Sequence, residues 1–142
     1  MRHTLVVANR TASTGELLAE VERRAAQEPT RFTLLIPEAR ANWTPTEALA
    51  AMRRAARGER GVRTAHVEVR VTGADPFEAV REALAAETVD DVLISTLPKR
   101  RSLWLRRDLP KQVRTLGVPV HVVSAPAEPR IGLRDLPMGG PG

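Results

Sequence analysis

Short apolar runs alternate along this chain with longer stretches in which apolar residues recur every three or four positions. His3 to Ala8 is a β-branched run that meets Asn9-Arg10-Thr11, which has the composition of a buried strand passing into a loop. Arg31 to Ile36 reads as a second strand and Pro37 starts a polar connection. From Thr64 to Val71, Ala65, Val67, Val69 and Val71 alternate with His66, Glu68 and Arg70, the two-residue period of a strand with one more polar face and hence an edge position. Val92-Leu93-Ile94 is fully apolar and ends at Ser95-Thr96, and Val118 to Val123 is a last strand with Pro119 near its start, where a missing donor is tolerated.

The intervening stretches have helical spacing. Leu17, Leu18, Val21 and Ala25 share one side of a helix predicted over Ser13 to Gln27, with Glu16, Glu20, Glu22, Arg23 and Arg24 outward. Thr44-Pro45-Thr46-Glu47 offers an N-cap threonine, a proline at the first helical position and a glutamate at the third, opening a helix to about Arg57 that Gly58 and Gly61 break. Asp75-Pro76-Phe77-Glu78 repeats that logic for a helix with Phe77, Val80, Ala83 and Leu84 on one side. Leu109, Val113 and Leu116 share a face of a last helix that stops at Gly117.

Strictly alternating strands and helices predict an α/β protein with a Rossmann-like three-layer sandwich and a largely parallel five-stranded sheet between two helical layers. A chain of 142 residues suits one such domain, over residues 1–124. Residues 125–142 carry four prolines and four glycines and cannot continue the sheet, so they read as a tail. Ile131, Leu133, Leu136 and Met138 would let that tail dock on the domain or a neighbour; disorder is the alternative.

Composition narrows the chemistry. The absence of cysteine excludes disulfides, thiolate metal sites and thiol nucleophiles. His3, His66 and His121 are scattered, each in or beside a strand, and read as packing residues and not as metal ligands. With no tyrosine, two phenylalanines and two tryptophans, the chain has little on which to stack nucleic-acid bases. The opening apolar run is too short for a signal peptide or a membrane span, so a cytoplasmic protein without membrane association is expected. Abundant arginine and alanine with only two lysines point to a bacterial, high-GC source.

The net charge of +5 is unevenly placed. Lys99, Arg100, Arg101, Arg106, Arg107, Lys111 and Arg114 face Asp108 alone between Ser95 and Leu116, a local +6 that leaves −1 for the rest. Such a field implies an anionic partner or a solvated basic face.

Val71 to Thr96, VTGADPFEAVREALAAETVDDVLIST, resembles the second half of a universal stress protein, where a Gly-Asp-Pro helix start leads into an Asp-apolar-apolar strand. Thr4 to Thr11 is similar to that family's opening strand and loop, and Pro119 to Val123 to its closing strand. The resemblance implies strand order 3-2-1-4-5 and a ligand crevice between the ends of the first and fourth strands. It also implies pairing of fifth strands in a homodimer, here through Val118, Val120, His121 and Val122. Members that bind ATP resemble one another in a glycine-rich loop after the fourth strand, where backbone N–H groups approach phosphate without side chains in the way. Laid on this chain, that loop places Ser95 and Pro98 at its first two glycines and Asp108-Leu109 at its final pair. The first-strand aspartate corresponds to Asn9, and Arg10 follows in place of glycine. ATP binding in the family's usual mode is therefore not expected.

What replaces that cradle is cationic. Asn9, Arg10, Ile36, Ser95, Thr96, Lys99, Arg100, Arg101 and Ser102 are the candidate ligand residues, with hydroxyls from Ser95 and Thr96 and charge-assisted bonds from the cations. Ser102 also suits the cap of a short helix from Leu103. ATP, another nucleotide or a small anion is the ligand class. Trp104 reads as a core residue or a crevice cover, and Trp43 as a staple or a cover for a cavity of adenine size. No grouping of nucleophile, base and carboxylate indicates catalysis; Asp90-Asp91 lies at the wrong end of its strand and suits a turn. The expected role is regulatory or stress-associated. The alternative is a homodimeric adaptor whose basic face binds an acidic protein or, less favourably, a nucleic acid.

Overall fold

The computed structural model describes residues 1–9, 11–12, 14–39, 45–58, 66–97 and 103–124. Five strands, β1 (Arg2–Val7), β2 (Thr30–Ile36), β3 (His66–Val71), β4 (Asp91–Thr96) and β5 (Val120–Ser124), form one sheet in the order β3-β2-β1-β4-β5. Every pairing is parallel. Between them run α1 (Gly15–Gln27), α2 (Thr46–Arg57), α3 (Pro76–Ala86), the single turn α4 (Leu103–Arg106) and α5 (Leu109–Arg114). The α/β class and the 3-2-1-4-5 order expected from the sequence are those observed.

The central strands sort their side chains by parity, as a pleat requires. On β1, Val6 and then Ala8 just beyond its end face the layer of α1 and α2, packing with Leu17, Val21, Met52 and Phe32. Leu5 and Val7 face the other way, against Ala79, Val80 and Ala83 of α3 and Leu109 and Val113 of α5. Because β1 is covered on both faces, its register is strongly fixed: Val6 lies beside Leu34 of β2 and Leu93 of β4. The edge strand β3 shows the opposite regime, with Val67 buried and Val71 42% exposed.

Helix boundaries follow local chemistry. α1 is capped by Thr14, whose hydroxyl accepts from the Leu17 N–H at 3.4 Å, so it begins two residues later than Ser13. Pro45 takes the cap position of α2 in place of the first helical position, and Thr44 lies outside the described residues. At α3 the expected motif is realised, Asp75 Oδ1 accepting from the N–H groups of Phe77 and Glu78 at 3.0 and 3.2 Å, with Pro76 at the first turn. Gly117, at φ +85, makes the left-handed turn that sends the chain from α5 into β5; a Cβ would meet nothing within 4 Å, so the dihedral alone selects glycine. The strand residues Thr64 and Ala65, Gly61, Trp43 and the 125–142 tail lie outside the described residues.

Among the described residues no helix is long and apolar enough to cross a membrane. His3 is buried: its Nδ1 lies 2.8 Å from the Thr88 carbonyl and its Nε2 2.8 Å from the Thr33 hydroxyl. A carbonyl can only accept, so Nδ1 carries the hydrogen. His66 and His121, in edge strands, are exposed, which departs from the expected packing role.

Candidate functional site

The sheet order reverses between β1 and β4, and the carboxyl ends of these two strands are where the expected crevice belongs, because loops at such a reversal leave toward opposite helical layers. Asn9 stands at the end of β1, where its Nδ2 donates to the Pro37 carbonyl at 2.6 Å and ties the β1 and β2 exits together. The loop into α1 is a compact turn: Ala12 N–H donates to the Asn9 carbonyl and Thr14 N–H to the Thr11 carbonyl, each at 3.2 Å.

Ser95 and Thr96 end β4 at this edge of the sheet, and they are 1% and 2% exposed. The Ser95 hydroxyl donates to Thr11 Oγ1 at 2.7 Å, and the Thr96 and Ser124 hydroxyls are 3.0 Å apart. Both hydroxyls therefore act within the fold, one locking the β1 loop to β4 and the other locking β4 to β5. Ile36 is fully buried, packed with Val6, Phe32 and Met52, and presents no surface at the rim. Asn9 alone of these expected contacts is partly exposed. Arg10, Lys99, Arg100, Arg101 and Ser102 lie outside the described residues, as does Pro98.

Beyond that segment, Trp104 on α4 is half-buried against the cluster of Leu5, Val7, Leu35 and Ile94. Its indole N–H points to Glu38 Oε1 at 3.4 Å. Glu38 follows Pro37 out of β2, is exposed, and holds a left-handed backbone at φ 55. Sequence reading missed this pair. No local motif announces a left-handed glutamate, and the contact joins residues 66 positions apart.

The other end of the sheet holds a cluster of linked charges. Asp91, the first residue of β4, accepts at Oδ1 from the Thr4 hydroxyl and at Oδ2 from Arg24 and Arg2. Arg24 also bonds Glu20, and the Arg23 hydrogen bond, opposed by partial burial and reinforced by Arg24, holds the Glu20 carboxyl down at about 2. Asp90 exchanges bonds with His3, its N–H to the His3 carbonyl at 2.8 Å and its Oδ2 from the His3 N–H at 2.7 Å. The Asp90-Asp91 pair is thus a strand anchor and an ion-pair hub, a larger part than the turn expected, and it lies away from the crevice as the sequence implied. An open depression of about 430 Å³ between Thr88, Asp90, Gly117 and Pro119 lies at this same end. Among the described residues, no group of three histidines or carboxylates is placed to hold a metal ion.

No protein-family model matches the chain, and no curated protein matches it by sequence. Among solved structures, it is similar to a universal stress protein crystallised in complex with cAMP, with 15% sequence identity, a TM-score of 0.50, and coverage of 89% of this chain and 98% of that one. The chain has the fold of a universal stress protein. β5, with Val120 and Val122 partly buried and His121 exposed, pairs only β4 and leaves its outer edge unpaired among the described residues; Val118 precedes it and packs toward α5.

Proposed function

We propose that this protein is a universal stress protein-like regulator whose crevice binds a nucleotide, ATP included, or another small anion, and that it binds its ligand without transforming it. The observation that carries the reading is the reversal of strand order between β1 and β4, since ligands of open α/β sheets bind outside the carboxyl ends of the strands at such a point. The solved structure of similar fold holds cAMP, which supports the nucleotide class. In this chain the glycines of the phosphate cradle are absent and Lys99, Arg100 and Arg101 follow β4, so charge-assisted hydrogen bonds take the place of backbone amides. Asn9 contributes from β1, and Ser95 and Thr96 support the floor through Thr11 and Ser124.

Mass spectrometry of the purified protein under native conditions tests this reading. A subunit mass raised by a nucleotide or small anion is the expected result; bare subunits that also take up no added ATP, cAMP or phosphate contradict it.

A second reading is favoured by the outer edge of β5, which is unpaired among the described residues. Paired with a symmetry mate it would form a homodimeric adaptor through Val118, Val120, His121 and Val122, with the basic segment recruiting an acidic protein or, less favourably, a nucleic acid. The same spectrum distinguishes it, because it predicts a dimer mass without ligand.

A further inference from the structure

Among the described residues β3 pairs β2 on one side and no strand on the other. Backbone polar groups of a strand point alternately to its two sides. The Thr72 N–H donates to the Ile36 carbonyl at 3.0 Å and the Thr72 carbonyl accepts from the Ala39 N–H at 3.0 Å, so Thr72 faces the β2 side. By alternation Glu68 and Arg70 do the same, and Val67, Val69 and Val71 aim their N–H and C=O groups outward. Arg53 of α2 agrees with this assignment, since its Nε and Nη2 donate to the Val67 carbonyl at 3.4 and 3.2 Å. Val69 and Val71 have no such cover among the described residues. Val71 is also 42% exposed; among the described residues, the only other large apolar side chain so open is Met1 at the terminus. An edge of this kind is a template for a further strand.

The sequence of β3 suits one such strand, its own. In an antiparallel pair with a two-fold axis at Val69, Val67 lies against Val71 of a second copy and the outward N–H and C=O groups meet in hydrogen-bonded pairs. Glu68 then stands opposite Arg70 of the second copy, twice by symmetry, at the non-hydrogen-bonded positions where side chains approach most closely. An axis through Glu68 or Arg70 would instead set like charges against each other, and one through Val67 or Val71 would bring only one end of the strand into register. Glu68 and Arg70 are both exposed, and both are already held on the open face of the sheet, Glu68 by Arg31 and Arg70 by Glu87, which Arg31 also bonds. The Val67 carbonyl has two acceptor positions, so the Arg53 contact does not forbid the pairing.

We propose that the outer edge of β3 is a self-pairing surface, on which two copies of this chain join antiparallel about Val69 with each Glu68 set against Arg70 of the other. The paired sheets become continuous, and the three valines of each copy form one apolar row beside α2 that covers Val71. This surface lies at the opposite edge of the sheet from β5 and does not depend on any ligand.

Sedimentation velocity of the full chain over a concentration series tests the register. Wild type is expected to show a monomer–dimer equilibrium. Glu68→Arg and Arg70→Glu each put like charges across the axis twice, and each is expected to weaken the dimer about ten-fold or more. An equimolar mixture of these two variants restores opposite charges at both positions, as does the double variant Glu68→Arg/Arg70→Glu, and both are expected to regain the wild-type dimer. That recovery separates the interface from folding, because mixing cannot repair a misfolded subunit. A wild type that stays monomeric to its solubility limit overturns the inference. So does a mixture that fails to recover, and so does a dimer unmoved by either charge reversal, which would assign association to another surface such as β5.

Discussion

Arg24, on the inward side of α1, places Nη1 2.6 Å from Oδ2 of Asp91 at the first position of β4. The Asp91 side chain is 10% exposed and that of Arg24 13%. One nearly buried pair thus joins the first helix to the fourth strand, while Thr4 completes the carboxylate from β1 at 2.7 Å. Removing Asp91 leaves the largely buried Arg24 with Glu20 as its carboxylate partner and the buried Thr4 hydroxyl without its acceptor. Asp91→Ala is therefore expected to destabilise the fold by about 3 kcal/mol, read by urea denaturation. A loss under about 0.5 kcal/mol would mean that water already screens the pair.

The neighbouring Glu20 gives a pH dependence. Its folded-state pKa, about 2, lies below the ordinary 4.5, so the unfolded chain binds its proton first as the medium acidifies. The stabilisation is complete above about pH 5 and is lost as the pH falls toward 2. Glu68 and Glu78, paired with Arg31 and Arg81, shift in the same direction at exposed sites where solvent screens the effect. Glu20→Gln is expected to lower stability at pH 7 and to flatten its decline between pH 5 and pH 2, measured by thermal melts across that window. A decline as steep as wild type's would assign the acid sensitivity to other carboxylates.

Asp75 provides a clean measure of local capping. Its Oδ1 satisfies two orphan donors of α3 at an exposed site, so Asp75→Ala is expected to cost about 1 kcal/mol. The same variant should leave ligand affinity unchanged, as judged by calorimetry with ATP.

Ser95 has little surface, so its removal acts on the fold. In Ser95→Ala the buried Thr11 hydroxyl loses its partner, with an expected destabilisation of about 1 to 2 kcal/mol in chemical denaturation. A fully stable Ser95→Ala variant with weakened ATP binding would instead assign the hydroxyl to the ligand.

Much of the architecture was legible because its determinants are local. The period of two in Val67 to Val71, the Asp75-Pro76 cap and the left-handed stop at Gly117 each depend on a few adjacent residues, and each stands where the sequence placed it. The site was harder to read for the converse reason. Ser95 and Thr96 read as free hydroxyls until the fold brings Thr11 and Ser124 against them, and Ile36 reads as a rim residue until β3 and the helices close over it. Asp91 gave no sign of its ion pairs, because Arg24 lies 67 positions away on a helix whose charged residues read as its outer face. Glu38 met the same obstacle: long-range partners and a backbone conformation set by Ala74 and Thr72 leave no trace in its neighbours.

The proposed function requires that the cationic residues following β4 in the sequence hold the phosphates of the ligand. Calorimetric titration of ATP into wild type and into Arg100→Glu/Arg101→Glu measures this directly. If the proposal holds, reversing these two charges is expected to weaken binding about a hundred-fold or more with the fold intact. Equal affinity in the two proteins would show that the phosphates are held elsewhere.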